Sequence, residues 1–348
     1  MLLMLKNIPV LMYDSEEYKL VIYREDLLPY CLRDAFKISQ TRTDIDYLNI
    51  QRINDFLRNR TLPLSRANSK IIYNMLHCSQ NDRLEIAALC RGITLSDNYW
   101  IKRNNEKIQW EDVSLRTNPL NEIFTEVALC GRIITLQGSM HTPETTTNGV
   151  SAKGWKREND NLYLYKCDPR AKREVIASNI LDILGFSHVV YTDAEYDGRY
   201  CCKCACLTSD TYSIVSAEDL SIWLDRSRKD VVEFACTVDM KHFSEMCIAD
   251  YLLANIDRHK GNWGFYYESD TCNILGLHPL YDHDHTFITE AYANPNMEYT
   301  PIPGYSMQYA ALEAKEHITI CPSRDFTPDD FLDPSHYDCF MRRLEEFI

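Results

Sequence analysis

The sequence predicts an α+β fold in which a small β-rich lobe is followed by a larger, mainly helical lobe. Strand-like runs between residues 133 and 207 enclose one helix pattern, and helix patterns dominate from residue 216 to the end. The first 130 residues carry a different mixture of short strands and helices. We therefore expect an accessory region at 1–130, mixed but mostly helical, and a second domain at 131–348. That domain divides into a small lobe at about 131–212 and a large lobe at about 213–348.

Composition and charge narrow the class of protein. At 348 residues the chain has room for about two domains. The net charge of −14 argues against broad binding to nucleic acid or to anionic membranes, because both need basic surfaces. No run approaches the ~20 apolar residues of a membrane span, and the N-terminus lacks the basic segment of a signal peptide. We therefore expect a cytoplasmic protein.

The N-terminal region is expected to begin with strands at 8–13 and 18–23 and a helix at 27–36. Further helix patterns cover residues 44–57, 66–76, 82–89 and 122–129. A helical region of this kind can hide a DNA-binding helix-turn-helix. The acidic charge and the lack of a Lys/Arg-rich recognition helix favour an interaction or scaffold role instead.

The order of elements between residues 145 and 207 is typical of the small lobe of a kinase. A polar loop at 145–155 carries two glycines, and a strand at 162–166 ends on Lys166. A helix follows at 173–184, with apolar residues at i, i+3 and i+4 spacing and Gly185 closing it. Two further strands are expected, at 189–193 and 200–207.

Three polar residues predict the type of reaction that the chain catalyses. Asn262 follows Asp257 by five residues, and Asp282 follows Asn262 by twenty. A carboxylate, an amide five positions on and a second carboxylate beyond it make up the base and metal-binding set of a phosphotransferase. We therefore predict that Asp257 is the general base and that Asn262 and Asp282 hold magnesium.

Phosphoryl transfer also needs a cradle and a cation for the phosphates. Gly149 and Lys153 of the polar loop are candidates, although the loop lacks the Walker A spacing and would otherwise be a plain hairpin loop. Lys166 is expected on the inner face of its strand, where a buried lysine needs an anion such as a phosphate. Glu174 either pairs with Lys166 or stabilises the N-terminus of its helix.

Two clusters offer ligands for a transition metal. The cysteines at 201–206 lack the distant second pair of a zinc ribbon, and their alternation at period two fits one face of a strand. His278, His283 and His285 could hold zinc or iron, but no downstream His/Glu motif completes such a site. The cysteines therefore favour a structural strand. The histidines leave a magnesium-dependent site favoured over a transition-metal site.

The sequence Asn-Ile-Asp-Arg-His-Lys-Gly-Asn-Trp-Gly at 255–264, followed by Pro-Leu-Tyr-Asp at 279–282, resembles the active-site core of HipA-like bacterial kinases. The loop Gly-Val-Ser-Ala-Lys at 149–153 is similar to the nucleotide loop of that family, and Lys166 matches its ATP-contacting lysine. The resemblance covers about residues 133–348. It implies a bilobal kinase fold, ATP with Mg²⁺, a protein substrate with serine or threonine hydroxyls, and a regulatory partner protein.

The chain departs from the family pattern at three places. Ser151 stands where the family commonly has glutamine, and its place in the nucleotide loop makes it a candidate for ATP binding. The resemblance also implies that Ser151 is a candidate autophosphorylation site, because HipA kinases are known for self-inactivation of that kind. Residues 1–130 do not match the usual N-terminal subdomain. The segment after Asp282 is more polar than expected.

Two alternative functions remain open from the sequence. Phosphoinositide kinases share the Asp-Arg-His-x-x-Asn pattern, so a lipid or small-molecule kinase is the nearest enzymatic alternative. A catalytically silent pseudokinase or interaction scaffold is the other. The intact set of Asp257, Asn262 and Asp282 argues against the second alternative, and the acidic charge argues against a membrane lipid as acceptor.

Overall fold

A computed structural model of the chain describes residues 1–14, 19–34, 47–79, 83–132 and 150–348. The chain forms two compact units. The first unit comprises Met1–Cys167, Ala205–Val215 and Tyr267–Ile274. The second unit comprises Asp168–Cys204, Ser216–Tyr266 and Leu275–Ile348.

The first unit begins with an antiparallel four-stranded sheet in the order β3-β2-β1-β4. Its strands are β1 (Leu2–Leu5), β2 (Ile8–Asp14), β3 (Lys19–Ile22) and β4 (Tyr99–Lys102). Leu3 is paired with Leu11 on one side and Ile101 on the other. Met4 and the fully buried Trp100 belong to the apolar core of this unit. The strands predicted at 8–13 and 18–23 are confirmed.

The helices of the first unit enclose a second apolar cluster. They are α1 (Tyr47–Asn59), α2 (Ser69–Met75), α3 (Arg83–Leu89), α4 (Trp110–Val113) and α5 (Glu122–Cys130). Tyr73, Ile86 and Val127 are fully buried in this cluster and join α2, α3 and α5. The helix patterns predicted at 44–57, 66–76, 82–89 and 122–129 are confirmed over their described residues.

The helix expected at 27–36 is wrong over the part that the structure describes. Two short 3₁₀ turns, Glu25–Leu27 and Tyr30–Leu32, stand there instead. Pro29 lies between them, and proline has no amide hydrogen and disfavours helical geometry in the residue before it. The apolar spacing is real, since Leu28 and Leu32 are buried, but the backbone turns sharply between the two leucines.

The predicted polar loop at 145–155 ends earlier than expected. β5 (Lys153–Glu158) pairs antiparallel with β6 (Asn161–Lys166), and Lys153 and Gly154 are therefore strand residues. Gly154 faces α5, because a Cβ built on it would lie 3.4 Å from side-chain atoms of Thr125 and Leu129. The strand predicted at 133–136 and the residue Gly149 lie outside the described ranges.

The second unit starts with α6 (Ala171–Leu184), followed by β7 (Tyr191–Tyr196) and β8 (Arg199–Ala205). Gly185 ends α6 with a φ of +71°, as the sequence predicts. The β7–β8 hairpin turns at Asp197 and Gly198, both of which have positive φ. Cys202 and Cys204 are buried on β8, which confirms the predicted strand.

The helix Val231–Leu252, α8, packs against the helix before it and against two helices that follow it. In chain order the elements are β9 (Tyr212–Ser216), α7 (Ala217–Arg226), α8 (Val231–Leu252), β10 (Gly264–Glu268), β11 (Ile274–Leu277), α9 (Thr289–Ala293), α10 (Met307–Lys315) and α11 (Pro334–Leu344). Ser216 caps α7 by accepting from the Asp219 amide, as predicted. The run 243–252 of α8 is buried on every face, which is typical of a helix at the centre of a core. No helix in the described ranges is long and apolar enough to cross a membrane.

Candidate active site

A buried ion pair lies beneath the stretch 255–262. The guanidinium of Arg258 and the carboxylate of Asp250, near the end of α8, are both fully buried, and Nε lies 3.0 Å from Oδ2. The Tyr299 hydroxyl and the Asn255 side-chain amide also donate to this carboxylate, each at 2.8 Å. Three side chains therefore satisfy the buried charge of Asp250, which a stable buried ion pair requires.

Arg258 connects two segments of the chain. Its Nη1 atom donates to the backbone carbonyls of Asn262 and Tyr281, at 2.7 Å each. Burial alone would lower the pKa of the Arg258 guanidinium, but the charge and hydrogen bonds of Asp250 outweigh burial, so the pKa is raised. Arg258 stays charged and ties the end of the Asp257–Asn262 stretch to the residue before Asp282.

Asp257 and Asn262 are brought together by a hydrogen bond. Asn262, which is buried, donates from Nδ2 to the Asp257 carbonyl oxygen at 2.8 Å. Because the amide nitrogen faces that carbonyl, Oδ1 is the remaining polar atom of the side chain. The Asp257 carboxylate is half-buried, with 40% of the side chain exposed. A rigid amide beside an accessible carboxylate matches the spacing that the sequence predicts.

The first turn of α7 holds the same stretch from the other side. The amides of Ala217 and Glu218 donate to the carbonyls of Trp263 and Lys260, at 2.9 and 3.0 Å. The first amides of a helix have no partner within the helix, so these two bonds serve both α7 and the loop. The loop is thereby held at both ends.

Asp282 has an unusual backbone conformation. Its φ is +61°, a left-handed geometry that L-residues other than glycine adopt infrequently. The next amide, of His283, donates at 2.8 Å to Oε2 of Glu174, which is fully buried on α6. Glu174 thus anchors the segment that carries Asp282, a role that the sequence did not reveal. Its predicted pairing with Lys166 stays a prediction.

A charged cluster surrounds Asp257. Nδ1 of His285 lies 2.8 Å from the Asp284 carboxylate and 3.4 Å from that of Asp257. Nη1 of Arg170 lies 2.6 Å from Nε2 of the same ring and 3.3 Å from Nδ1, and the guanidinium also pairs with Asp284 and Asp168. Neither the polarity of this segment nor its sequence spacing predicted this arrangement.

The three histidines of the transition-metal alternative do not form one ligand cluster among the described residues. Within those residues, the potential ligand atoms close enough to share an ion belong to Asp257, Asp284 and His285, without His278 or His283.

His278 has a packing role. Its ring stacks on that of Tyr281, with 4.9 Å between centroids, and is buried. Burial lowers the pKa of His278 from 6.5 to about 4, so the ring is neutral at pH 7. His283 is fully buried as well, with Nδ1 3.4 Å from Nη2 of Arg258.

The residues predicted to bind the nucleotide lie on or beside the β5–β6 hairpin. Lys153 and Lys166 are direct cross-strand partners, and both are nearly buried, at 6% and 5% exposed. Ser151 is also buried. Two lysines side by side form a concentrated positive charge. Gly149, the loop glycine predicted to bind the nucleotide, lies outside the described ranges.

Comparison with known proteins supports the kinase-like fold. No family model matches the chain. A segment is 29% identical over 151 residues to the serine/threonine-protein kinase CtkA of Helicobacter pylori, covering 36% of this chain and 46% of that protein. The matched segment thus spans about half of that relative.

Two solved structures are similar to the chain. A crystal structure of the proinflammatory kinase CtkA of Helicobacter pylori covers 56% of this chain and 89% of its own, with 19% identity and a TM-score of 0.43. A structure of the HipA, HipB and operator DNA complex of a toxin–antitoxin system from Shewanella oneidensis MR-1 has a TM-score of 0.55, with 13% identity. It covers 99% of this chain and 95% of its own. The α+β kinase-like fold predicted from the sequence is confirmed, and this match extends through residues 1–130.

Proposed function

We propose that this chain is an ATP- and Mg²⁺-dependent serine/threonine protein kinase of the HipA-like type. The observation that carries the proposal is the joining of Asp257, Asn262 and the segment of Asp282 by hydrogen bonds within one compact unit. Such a set serves phosphoryl transfer, in which positioning and charge stabilisation supply most of the catalysis. The sequence similarity to a serine/threonine-protein kinase supports the same acceptor class.

The donor atoms of the site fit magnesium. Mg²⁺ is held by oxygen ligands, commonly one or two carboxylates together with phosphate oxygens and water. Asp282 supplies a carboxylate, and Asn262 supplies Oδ1 because its nitrogen is engaged. Bound Mg²⁺ would neutralise charge on the phosphates. We assign these two residues as its ligands.

Nucleotide binding is assigned to Gly149, Ser151, Lys153 and Lys166. The two lysines are cross-strand neighbours on β5 and β6, and lysine ammonium groups are common donors to phosphate oxygens. Glu174 contributes by holding the His283 amide next to Asp282.

Asp257 is assigned as the general base. An acceptor hydroxyl beside its carboxylate loses its proton to Asp257 while the hydroxyl oxygen bonds to the γ-phosphorus and the bond between that phosphorus and ADP breaks. The half-exposed position of the carboxylate leaves room for a serine or threonine side chain. Arg258 keeps the base and the Asp282 segment at a constant separation.

We also assign the enzyme to the bacterial cytoplasm, with a protein as substrate and a regulatory partner protein. We expect no direct binding to membranes or nucleic acid, because the net charge of −14 disfavours both. Ser151 is a proposed site of autophosphorylation, which phosphopeptide mass spectrometry after incubation with ATP would detect.

A transfer assay with γ-labelled ATP and Mg²⁺ tests the function. Protein and phosphoinositide acceptors are compared for the wild type, Asp257→Asn and Asp282→Ala. We expect Asp257→Asn to lower transfer about 10²–10⁴-fold with the fold intact, and Asp282→Ala to weaken the thermal stabilisation by Mg²⁺-ATP. Asp225→Asn, at an exposed position of α7, is the matched control and should be unaffected.

The outcomes separate the alternatives. Transfer to lipid only would identify a lipid kinase, and binding of Mg²⁺-ATP without transfer to any acceptor would identify a pseudokinase. Undiminished turnover in Asp257→Asn would refute the mechanism.

A further inference from the structure

The polar segment after Asp282 has no role in the function proposed above. His285 lies at its centre and is half-buried, with 35% of the side chain exposed. Within the described ranges, the side chain that lies within ion-pair distance of the Asp257 carboxylate is that of His285. A group that contacts the base on one face leaves the other face for the acceptor.

We propose that His285 is a positioning residue for Asp257. The proposal rests on the kinase function proposed above and deepens it. In this arrangement the Nδ1–H of His285 is directed between the carboxylates of Asp284 and Asp257, because a nitrogen this close to two carboxylates must be the donor.

The neighbours of the ring support this arrangement. Asp284 and Asp257 face Nδ1, where a donor N–H reduces the repulsion between two carboxylates. Nη1 of Arg170 lies against the same ring, 2.6 Å from Nε2 and 3.3 Å from Nδ1. Asp284 and Asp168 both pair with Arg170, so the guanidinium is itself held in place.

The backbone reinforces the contact. The carbonyl of His285 accepts from the amide of Ile256, the residue before Asp257, at 3.3 Å. The ring and the main chain of His285 therefore contact the base-bearing loop at two adjacent positions. Since Oδ2 of Asp257 faces the ring, Oδ1 is the oxygen that accepts the proton of the hydroxyl. His285 itself gains and loses no proton during transfer.

Asparagine and glutamine at position 285 provide matched variants. The amide of asparagine replaces a donor at the place of Nδ1, whereas the longer glutamine replaces the polar atom at the place of Nε2. We expect His285→Ala and His285→Gln to lower kcat about 10²-fold, because small displacements of a reacting group have effects of this size. His285→Asn should restore most of the activity. The KM for ATP and the thermal shift with Mg²⁺-ATP should change little in all three variants, and His317→Ala, an exposed histidine, should behave as wild type.

The tautomer is measured independently of activity. In protein labelled with ¹⁵N-histidine, the His285 signals, assigned from their loss in His285→Asn, should show a protonated Nδ1. A wild-type ring protonated at Nε2 alone, wild-type kcat in His285→Ala, or equal loss in His285→Ala and His285→Asn would each overturn the proposal. If the wild type transfers no phosphate at all, the kinase proposal fails instead.

Discussion

Replacing Asp250 by asparagine tests whether the buried ion pair supports the candidate site. Asp250 and Arg258 are both 0% exposed, and the carboxylate accepts bonds from Arg258, Asn255 and Tyr299. Asp250→Asn keeps the size of the side chain but leaves the Arg258 guanidinium buried without a counter-charge. Breaking a buried pair in this way costs about 3–5 kcal/mol. With a slope of about 3 kcal/mol per molar urea, the unfolding midpoint should fall by roughly 1–1.7 M.

The control is the same substitution at an exposed ion pair of the second unit. Asp193 pairs with Lys172, with 57% and 45% of their side chains exposed. Asp193→Asn should cost less than about 1 kcal/mol, because solvent screens the charges. Urea titrations of both variants followed by circular dichroism make the comparison. A midpoint shift in Asp250→Asn no larger than that in Asp193→Asn would refute the reasoning.

A double replacement separates stability from activity. In Asp250→Leu/Arg258→Met both charges are removed, and apolar side chains of similar volume often replace a buried pair without loss of stability. We expect the double variant to be more stable than Asp250→Asn. It should nevertheless transfer phosphate poorly, because the carbonyls of Asn262 and Tyr281 have lost the donor that joins them. Full transfer activity in the double variant would show that Arg258 does not position the site.

Three further changes test single contacts. Glu174→Gln retains an acceptor for the His283 amide, whereas Glu174→Leu leaves that amide unpaired. Glu174→Leu should therefore cost about 1–3 kcal/mol more than Glu174→Gln in thermal unfolding, and equal effects would argue against the bond. The folded pKa of His278 is about 4 against 6.5, so its contribution to stability is complete above pH 6.5 and is lost as the pH falls toward 4. Compared with His278→Phe, which keeps a ring against Tyr281, the wild type should lose about 3 kcal/mol of unfolding free energy between pH 7 and pH 4. A difference in unfolding free energy between the two proteins that does not change with pH would contradict a neutral, buried ring. Gly185→Ala should cost about 1 kcal/mol, since φ is +71° and no atom lies within 4 Å of the added methyl group; an unchanged melting temperature would contradict this assignment of strain.

The sequence by itself determined the local structure and the order of the chemical groups. Ser216 and Gly185 mark helix ends because capping and left-handed geometry depend on a few neighbouring residues. The spacing of Asp257 and Asn262 requires a tight loop, and their hydrogen bond confirms that the two residues meet. Short-range signals of this kind need no knowledge of distant parts of the chain.

Only the tertiary structure decided which groups support those residues. The Glu174 carboxylate and the His283 amide are separated by 109 residues, and Tyr299 and Asp250 by 49. The signal available in the sequence was a carboxylate, Asp250, in the mostly apolar last part of α8, and it predicts a buried partner without naming one. Partners across such separations are chosen by packing of the folded core, which places each donor and acceptor where no spacing rule applies. The contact between His285 and Asp257 has the same origin, since it joins two loops of the folded chain.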